Sequence, residues 1–112
     1  MTDYRHACAL ADVPEQGAVR VTVDGEVLAV IRDEGELHAI SDTCTHEDVS
    51  LSEGEIEDGE VECWLHGSRF DLVTGRPTSL PATRPVAVYP VKTDGDDVLV
   101  DIDHPLNQEK SA

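Results

Sequence analysis

Aromatic side chains are nearly missing from this 112-residue sequence. One Trp, one Phe and two Tyr leave any core to be filled by aliphatic residues. Basic residues are scarce as well, 8 Lys and Arg against 24 Asp and Glu. The resulting formal charge of −16 argues against nucleic acid or an anionic membrane as a partner, because both need a cationic contact surface. No apolar run approaches the roughly 20 residues of a membrane-spanning helix. The opening Met1-Thr2-Asp3-Tyr4-Arg5-His6 lacks the basic-then-apolar pattern of a secretory signal. Cysteine is limited to three, an odd number that fits metal ligation in a reducing compartment better than a disulfide framework. A cytoplasmic location is the expectation from these absences.

What remains is enough for one small folded domain. Leu, Ile, Val and Phe make up about a quarter of the residues, above the level of a disordered chain despite the charge. A chain this short gains from a metal or another staple. Val outnumbers Leu, and the apolar positions alternate in short runs broken by Gly and Asp, the pattern of antiparallel β structure. Val19, Val21 and Val23 share one strand face, and Asp24-Gly25 turns the chain into Val27, Ala29 and Ile31. A turn at Glu34-Gly35 leads to a strand over 37–40. Later, Val86 and Val88 alternate before Pro90, and Val91 to Thr93 runs to a turn at Asp94-Gly95 and a strand over 98–102. The polar end, about 104–112, is expected to fray.

Between about residues 41 and 85 the alternation stops, and loops rich in Ser, Thr, Gly and Pro take over. Glu53, Glu55, Glu57, Asp58, Glu60 and Glu62 form an acidic run there, which reads as a solvated strand and turn because it lacks the ligand order of a hard-cation loop. The same segment holds two short boxes, Cys44-Thr45-His46 and Cys63-Trp64-Leu65-His66, separated by residues 47–62. Each box presents one thiolate and one imidazole from a single loop, so two loops can grip one centre from opposite sides. That donor set suits a tetrahedral zinc. It equally suits a two-iron cluster with Cys on one iron and His on the other.

The boxes, with Gly67-Ser68-Arg69-Phe70-Asp71, Thr74-Gly75 and Leu80-Pro81-Ala82 after them, resemble the Rieske iron-sulfur proteins. That resemblance implies an all-β Rieske fold: an antiparallel β-sandwich base with a small cluster-binding subdomain at about 41–85, the whole of 1–112 forming one domain. It implies one [2Fe-2S] cluster, with Cys44 and Cys63 on the buried iron and His46 and His66 on the outer iron. Ser68 then donates toward a bridging sulfide and Pro81 lies in a loop over the cluster. Two ferric ions, two sulfides and two thiolates with neutral imidazoles carry no net charge, whereas an all-thiolate cluster keeps two negative charges. Rieske potentials accordingly span about −150 to +300 mV, against about −400 mV for plant-type ferredoxins.

Departures narrow the resemblance. The extra cysteine that respiratory members carry in each box is replaced by Val49 and Leu65, and their tyrosine by Phe70, which has no hydroxyl. The chain is thereby similar to the soluble, lower-potential Rieske ferredoxins. The implied role is one-electron transfer from a flavoprotein reductase to an acceptor such as a terminal oxygenase, with basic partner surfaces steered to the acidic chain. The chain is not expected to be an enzyme, since a mononuclear iron site needs two histidines and a carboxylate on a further domain. Two alternatives stand beside this role: an accessory ferredoxin of iron-sulfur cluster assembly, and a zinc-stabilised interaction module. Cys8 reads as a small buried residue, His6, His38 and His104 as surface or hydrogen-bonded groups, and Arg69 and Arg84 as partners for the acids. Trp64 fits core packing and an exposed docking contact equally well.

Overall fold

Three hairpins in this chain close on the same device, an acidic residue followed by glycine with both residues at positive φ: Asp24-Gly25 (+49°, +87°), Glu34-Gly35 (+52°, +87°) and Asp58-Gly59 (+55°, +77°). Such two-residue turns match the right-handed twist of the strands they join, and glycine in the second place avoids the Cβ clash of the left-handed region. The computed structural model describes residues 4–42, 50–64, 67–78, 85–103 and 105–106. Among them the strands are β1 (Arg5–Ala9), β2 (Gly17–Val23), β3 (Glu26–Asp33), β4 (Glu36–Ser41), β5 (Glu55–Glu57), β6 (Glu60–Glu62), β7 (Arg69–Asp71), β8 (Val88–Tyr89), β9 (Val91–Asp94) and β10 (Asp97–Val100). They form three sheets, ordered β1-β10-β9, β2-β3-β4-β8 and β5-β6-β7, and every pairing is antiparallel. No helix among the described residues is long and apolar enough to cross a membrane.

The four-stranded sheet lies between the other two. Leu28 and Val30 of β3 pack with Val21, Ala39 and Tyr89 against Cys8, Val98 and Val100 of the β1-β10-β9 sheet. Ala29 and Ile31, on the other face of β3, join Ile40, Val61, Cys63, Phe70 and Leu72 on the side of the small β5-β6-β7 sheet. Leu28 through Ile31 are all fully buried because the central strand is covered on both faces, while Val27 is half-buried. Truncating a fully buried ring such as Phe70 to alanine typically costs about 3–5 kcal/mol, so that side chain is one anchor of the small sheet, beside Val61 and Leu72.

Smaller differences appear at strand ends. The final hairpin turns at Gly95-Asp96, one residue later than Asp94-Gly95, with Gly95 at φ +64°. β10 stops at Val100: the Asp101 N–H still donates to the Pro90 carbonyl at 3.1 Å, in register with Val100 and Val91, but Pro90 has no N–H to return, so Ile102 lies beyond the strand. In β1 the register shifts between His6 and Cys8. Cys8 is buried, and desolvation followed by the nearby Asp12 pushes its thiol up.

Candidate metal centre

The second box sits at a hairpin end. β6 and β7 pair Glu62 with Arg69, and beyond that pair the Cys63 N–H donates to the Ser68 carbonyl at 2.6 Å while the Gly67 N–H donates to the Cys63 carbonyl at 2.9 Å. Gly67, at φ +77°, takes the left-handed conformation that brings the loop back on itself. Cys63 and Ser68 are both fully buried, and Cys63 packs with Leu51, Val61, Phe70 and Leu72. A sulfur ligand there is shielded from water on its protein side. Trp64, the next residue, is 52% exposed, so its ring lies on the surface rather than in the core.

β7 continues into a second tight turn. The Asp71 carboxylate accepts the Val73 and Thr74 N–H groups at 2.8 and 2.9 Å, the Gly75 N–H donates to the Asp71 carbonyl at 2.8 Å, and the Asp71 N–H donates to Arg76. The Thr78 N–H then reaches the Arg69 carbonyl at 2.7 Å, laying Pro77 and Thr78 beside β7. Arg69 reaches Glu60 at 3.7 Å and Glu57 at 4.0 Å, the acid pairing expected of it. His6 contacts Asp97 at 3.1 Å on the surface. His38 is half-buried, and desolvation pulls its imidazole below the usual histidine range against the opposing pull of Glu36, Asp33 and Asp71.

The first box is approached from Asp42, whose carboxylate sequence reasoning missed. The Asp42 N–H donates to the Val27 carbonyl at 3.1 Å, its own carbonyl accepts the Leu51 N–H at 2.5 Å, and its carboxylate accepts the Ser52 N–H at 2.8 Å. The two ends of the 43–50 segment are thus tied at one residue. The available signal was an Asx residue ahead of a turn, a common local acceptor that says nothing of a partner ten positions on. Gly54 was missed too: its N–H donates to Leu51, and its Cα abuts the Glu62 backbone, one residue before Cys63. Asp33, buried, joins the layers by accepting Gln16 Nε2 and the Gly59 N–H, each at 2.6 Å.

Of the six residues expected at the cluster, Cys63 and Ser68 are placed within one loop. Cys44, His46, His66 and Pro81 lie outside the described residues, as do Arg84 and His104. Among the described residues no three His, Cys, Asp or Glu side chains converge as a metal-holding group, the acidic run included. A buried thiol in a closed loop, with a buried serine beside it, fits a sulfur-ligated centre; the donors alone do not choose between zinc and iron.

The family model described as the Rieske [2Fe-2S] domain matches residues 4–90. The chain belongs to the Rieske family. Its cofactor is therefore one Rieske-type [2Fe-2S] cluster, and the zinc alternative falls away. Among its relatives in this family, the chain is 43% identical over 96 residues to the ferredoxin component of the naphthalene 1,2-dioxygenase system of Pseudomonas aeruginosa, covering 86% of this chain and 92% of that protein. It is 45% identical over 98 residues to the 3-phenylpropionate/cinnamic acid dioxygenase ferredoxin subunit of Shigella flexneri, covering 87% and 92%. The ferredoxin of carbazole 1,9a-dioxygenase from Nocardioides aromaticivorans superposes with a TM-score of 0.82 at 36% identity, covering 88% of this chain and 97% of that one. A ferredoxin solved in complex with the oxygenase of carbazole 1,9a-dioxygenase gives 0.81 at 36% identity, covering 90% and 94%.

Proposed function

We propose that this Rieske protein is the one-electron carrier of an aromatic-ring dioxygenase system, accepting electrons from a flavoprotein reductase and passing them to a terminal oxygenase. The observation that carries this reading is identity above 40% to two dioxygenase ferredoxin components across most of both chains. Cys44, Cys63, His46 and His66 would hold the cluster, two thiolates and two imidazoles, with Ser68 and Pro81 as its further neighbours. The bound cluster supplies a one-electron acceptor and donor. Cys63 and Ser68, both buried, would keep water from the inner side, and the backbone bonds joining Cys63 to Gly67 and Ser68 hold the Cys63 end of the second box. The cluster-binding subdomain is the segment 41–85 within a single domain, and the chain works in the cytoplasm beside its partners. It is not itself the oxygenase.

Excess acidic charge favours basic docking surfaces on both partners. The purified holoprotein, mixed anaerobically with the reduced flavoprotein reductase of such a system, is expected to bleach as it takes up one electron and to recover its colour on addition of the oxidised terminal oxygenase. Reduction without reoxidation by any such oxygenase would overturn this role in favour of an accessory one in cluster assembly.

A further inference from the structure

Asp33, Asp42 and Asp101 are buried carboxylates. Asp33 is held by an amide and a backbone N–H, and Asp101 accepts the N–H of Asp103 in a local turn. Asp42, with a side chain 2% exposed, turns one oxygen to the Ser52 N–H and the other toward Arg20 Nε, 3.5 Å away. Arg20 is on β2 and its side chain is 61% exposed. It reaches across β3, to which Asp42 is fastened at Val27. A buried carboxylate with a surface counterion, Arg20, therefore lies two residues before Cys44.

We propose that Asp42 is a positioning residue for the first ligand loop, and that the Arg20–Asp42 pair is a charge lever on the cluster's reduction potential. The inference rests on the reading of Cys44 as a ligand. Asp42 closes the loop through its carbonyl and carboxylate together, so the segment that carries Cys44 and His46 leaves and returns at a fixed point. Its charge is poorly screened because water reaches so little of it, and it opposes the arrival of an electron nearby. The Arg20 guanidinium offsets that opposition from the surface. Opposite shifts follow from removing either partner: loss of Arg20 makes reduction harder, and loss of the Asp42 charge makes it easier.

The test compares wild type, Arg20→Gln, Asp42→Asn and Lys92→Gln holoproteins by protein-film voltammetry at low ionic strength, with iron and acid-labile sulfide measured on each sample. Lys92 is on β9 with its ammonium over the Tyr4 ring, so Lys92→Gln removes the same unit of charge away from the pair. Arg20→Gln is expected to lower the ratio of reduced to oxidised protein at the wild-type midpoint by at least about threefold. That is about 28 mV at ~59 mV per tenfold for one electron. Asp42→Asn is expected to move the midpoint upward while its side-chain oxygen still accepts the Ser52 N–H. Asp42→Ala, which lacks that acceptor, is expected to release iron to a chelator faster than Arg20→Gln does. An Arg20→Gln midpoint equal to wild type, or no further shifted than Lys92→Gln, overturns the lever even if Asp42→Asn fails to fold. Equal iron release from Asp42→Ala and Arg20→Gln overturns the positioning role. Wild type without two irons and two sulfides overturns the ligand assignment, and the lever with it.

Discussion

Replacing Gly54 by alanine tests how the two ligand loops are held together. The backbone at Gly54 is extended, φ −87° and ψ −179°, so alanine meets no conformational penalty and a gain of about 0.4–1 kcal/mol from a stiffer unfolded chain is available. Space decides against it. An added Cβ would stand 2.9 Å from the Glu62 carbonyl carbon, 3.3 Å from the Leu51 carbonyl oxygen and well inside contact of the Glu62 oxygen, where ordinary contact begins at 3.4 Å. All three are backbone atoms and cannot rotate away. Overpacking costs about 1–3 kcal/mol, and with three backbone contacts the cost is at least the middle of that range, about 2 kcal/mol, which leaves a net loss of about 1–2 kcal/mol. At about 4 °C per kcal/mol for a chain of this size, the thermal midpoint is expected to fall by about 4–8 °C. Because Glu62 precedes Cys63, the same displacement should reduce the iron retained per protein. Differential scanning calorimetry with iron analysis reads both, and a midpoint equal to or above wild type would refute the close approach of Gly54 to β6.

Three further outcomes are expected. Asp33→Ala leaves the Gly59 N–H without its acceptor and should cost about 1–3 kcal/mol, with faster amide exchange at Gly59; unchanged exchange there would mean that the contact contributes nothing. Burial holds the His38 imidazole below its ordinary pKa, so the unfolded chain binds the proton more readily. The stability from the neutral ring is fully present above about pH 6.5 and is lost as pH falls toward the lowered folded value. Urea midpoints of wild type and His38→Gln should therefore converge on acidification, and parallel curves would remove His38 from the account. Reduction by the flavoprotein partner should slow as salt rises from about 0.01 to 0.5 M and the screening length contracts from about 30 Å to a few ångströms; a rate independent of salt would show that the charge of −16 does not steer docking.

How much was legible in the sequence divides by the range of the interaction. Hairpins β2–β3 and β3–β4 were readable because alternation and an acidic-Gly turn are local signals, and the structure pairs Val23 with Glu26 and Asp33 with Glu36 across those turns. The acidic run, read as a solvated strand and turn, is the β5–β6 hairpin, but the burial of Val61 and half-burial of Ile56 between exposed or half-buried glutamates were not readable from its charge. Burial of β3 on both faces was not readable from its own residues, because it depends on two other sheets. Asp33 and Gly54 act on Gly59 and Glu62, partners a single sequence does not connect. The cysteine-histidine boxes stood out because metal chemistry restricts which side chains serve and how far apart they lie. Trp64, left even between core and surface by sequence, is placed outside by the turn at Cys63.

The central claim is mixed cysteine and histidine ligation of one two-iron cluster, and electron-nuclear double resonance on the reduced holoprotein with ¹⁵N-labelled histidine tests it most directly. The account predicts two irons and two sulfides per chain, two directly bound histidine nitrogens, and loss of one coupling or of the whole cluster in His66→Ala. Two irons without nitrogen coupling and a potential near the about −400 mV of all-cysteine clusters, or one zinc and no visible absorption, would contradict it.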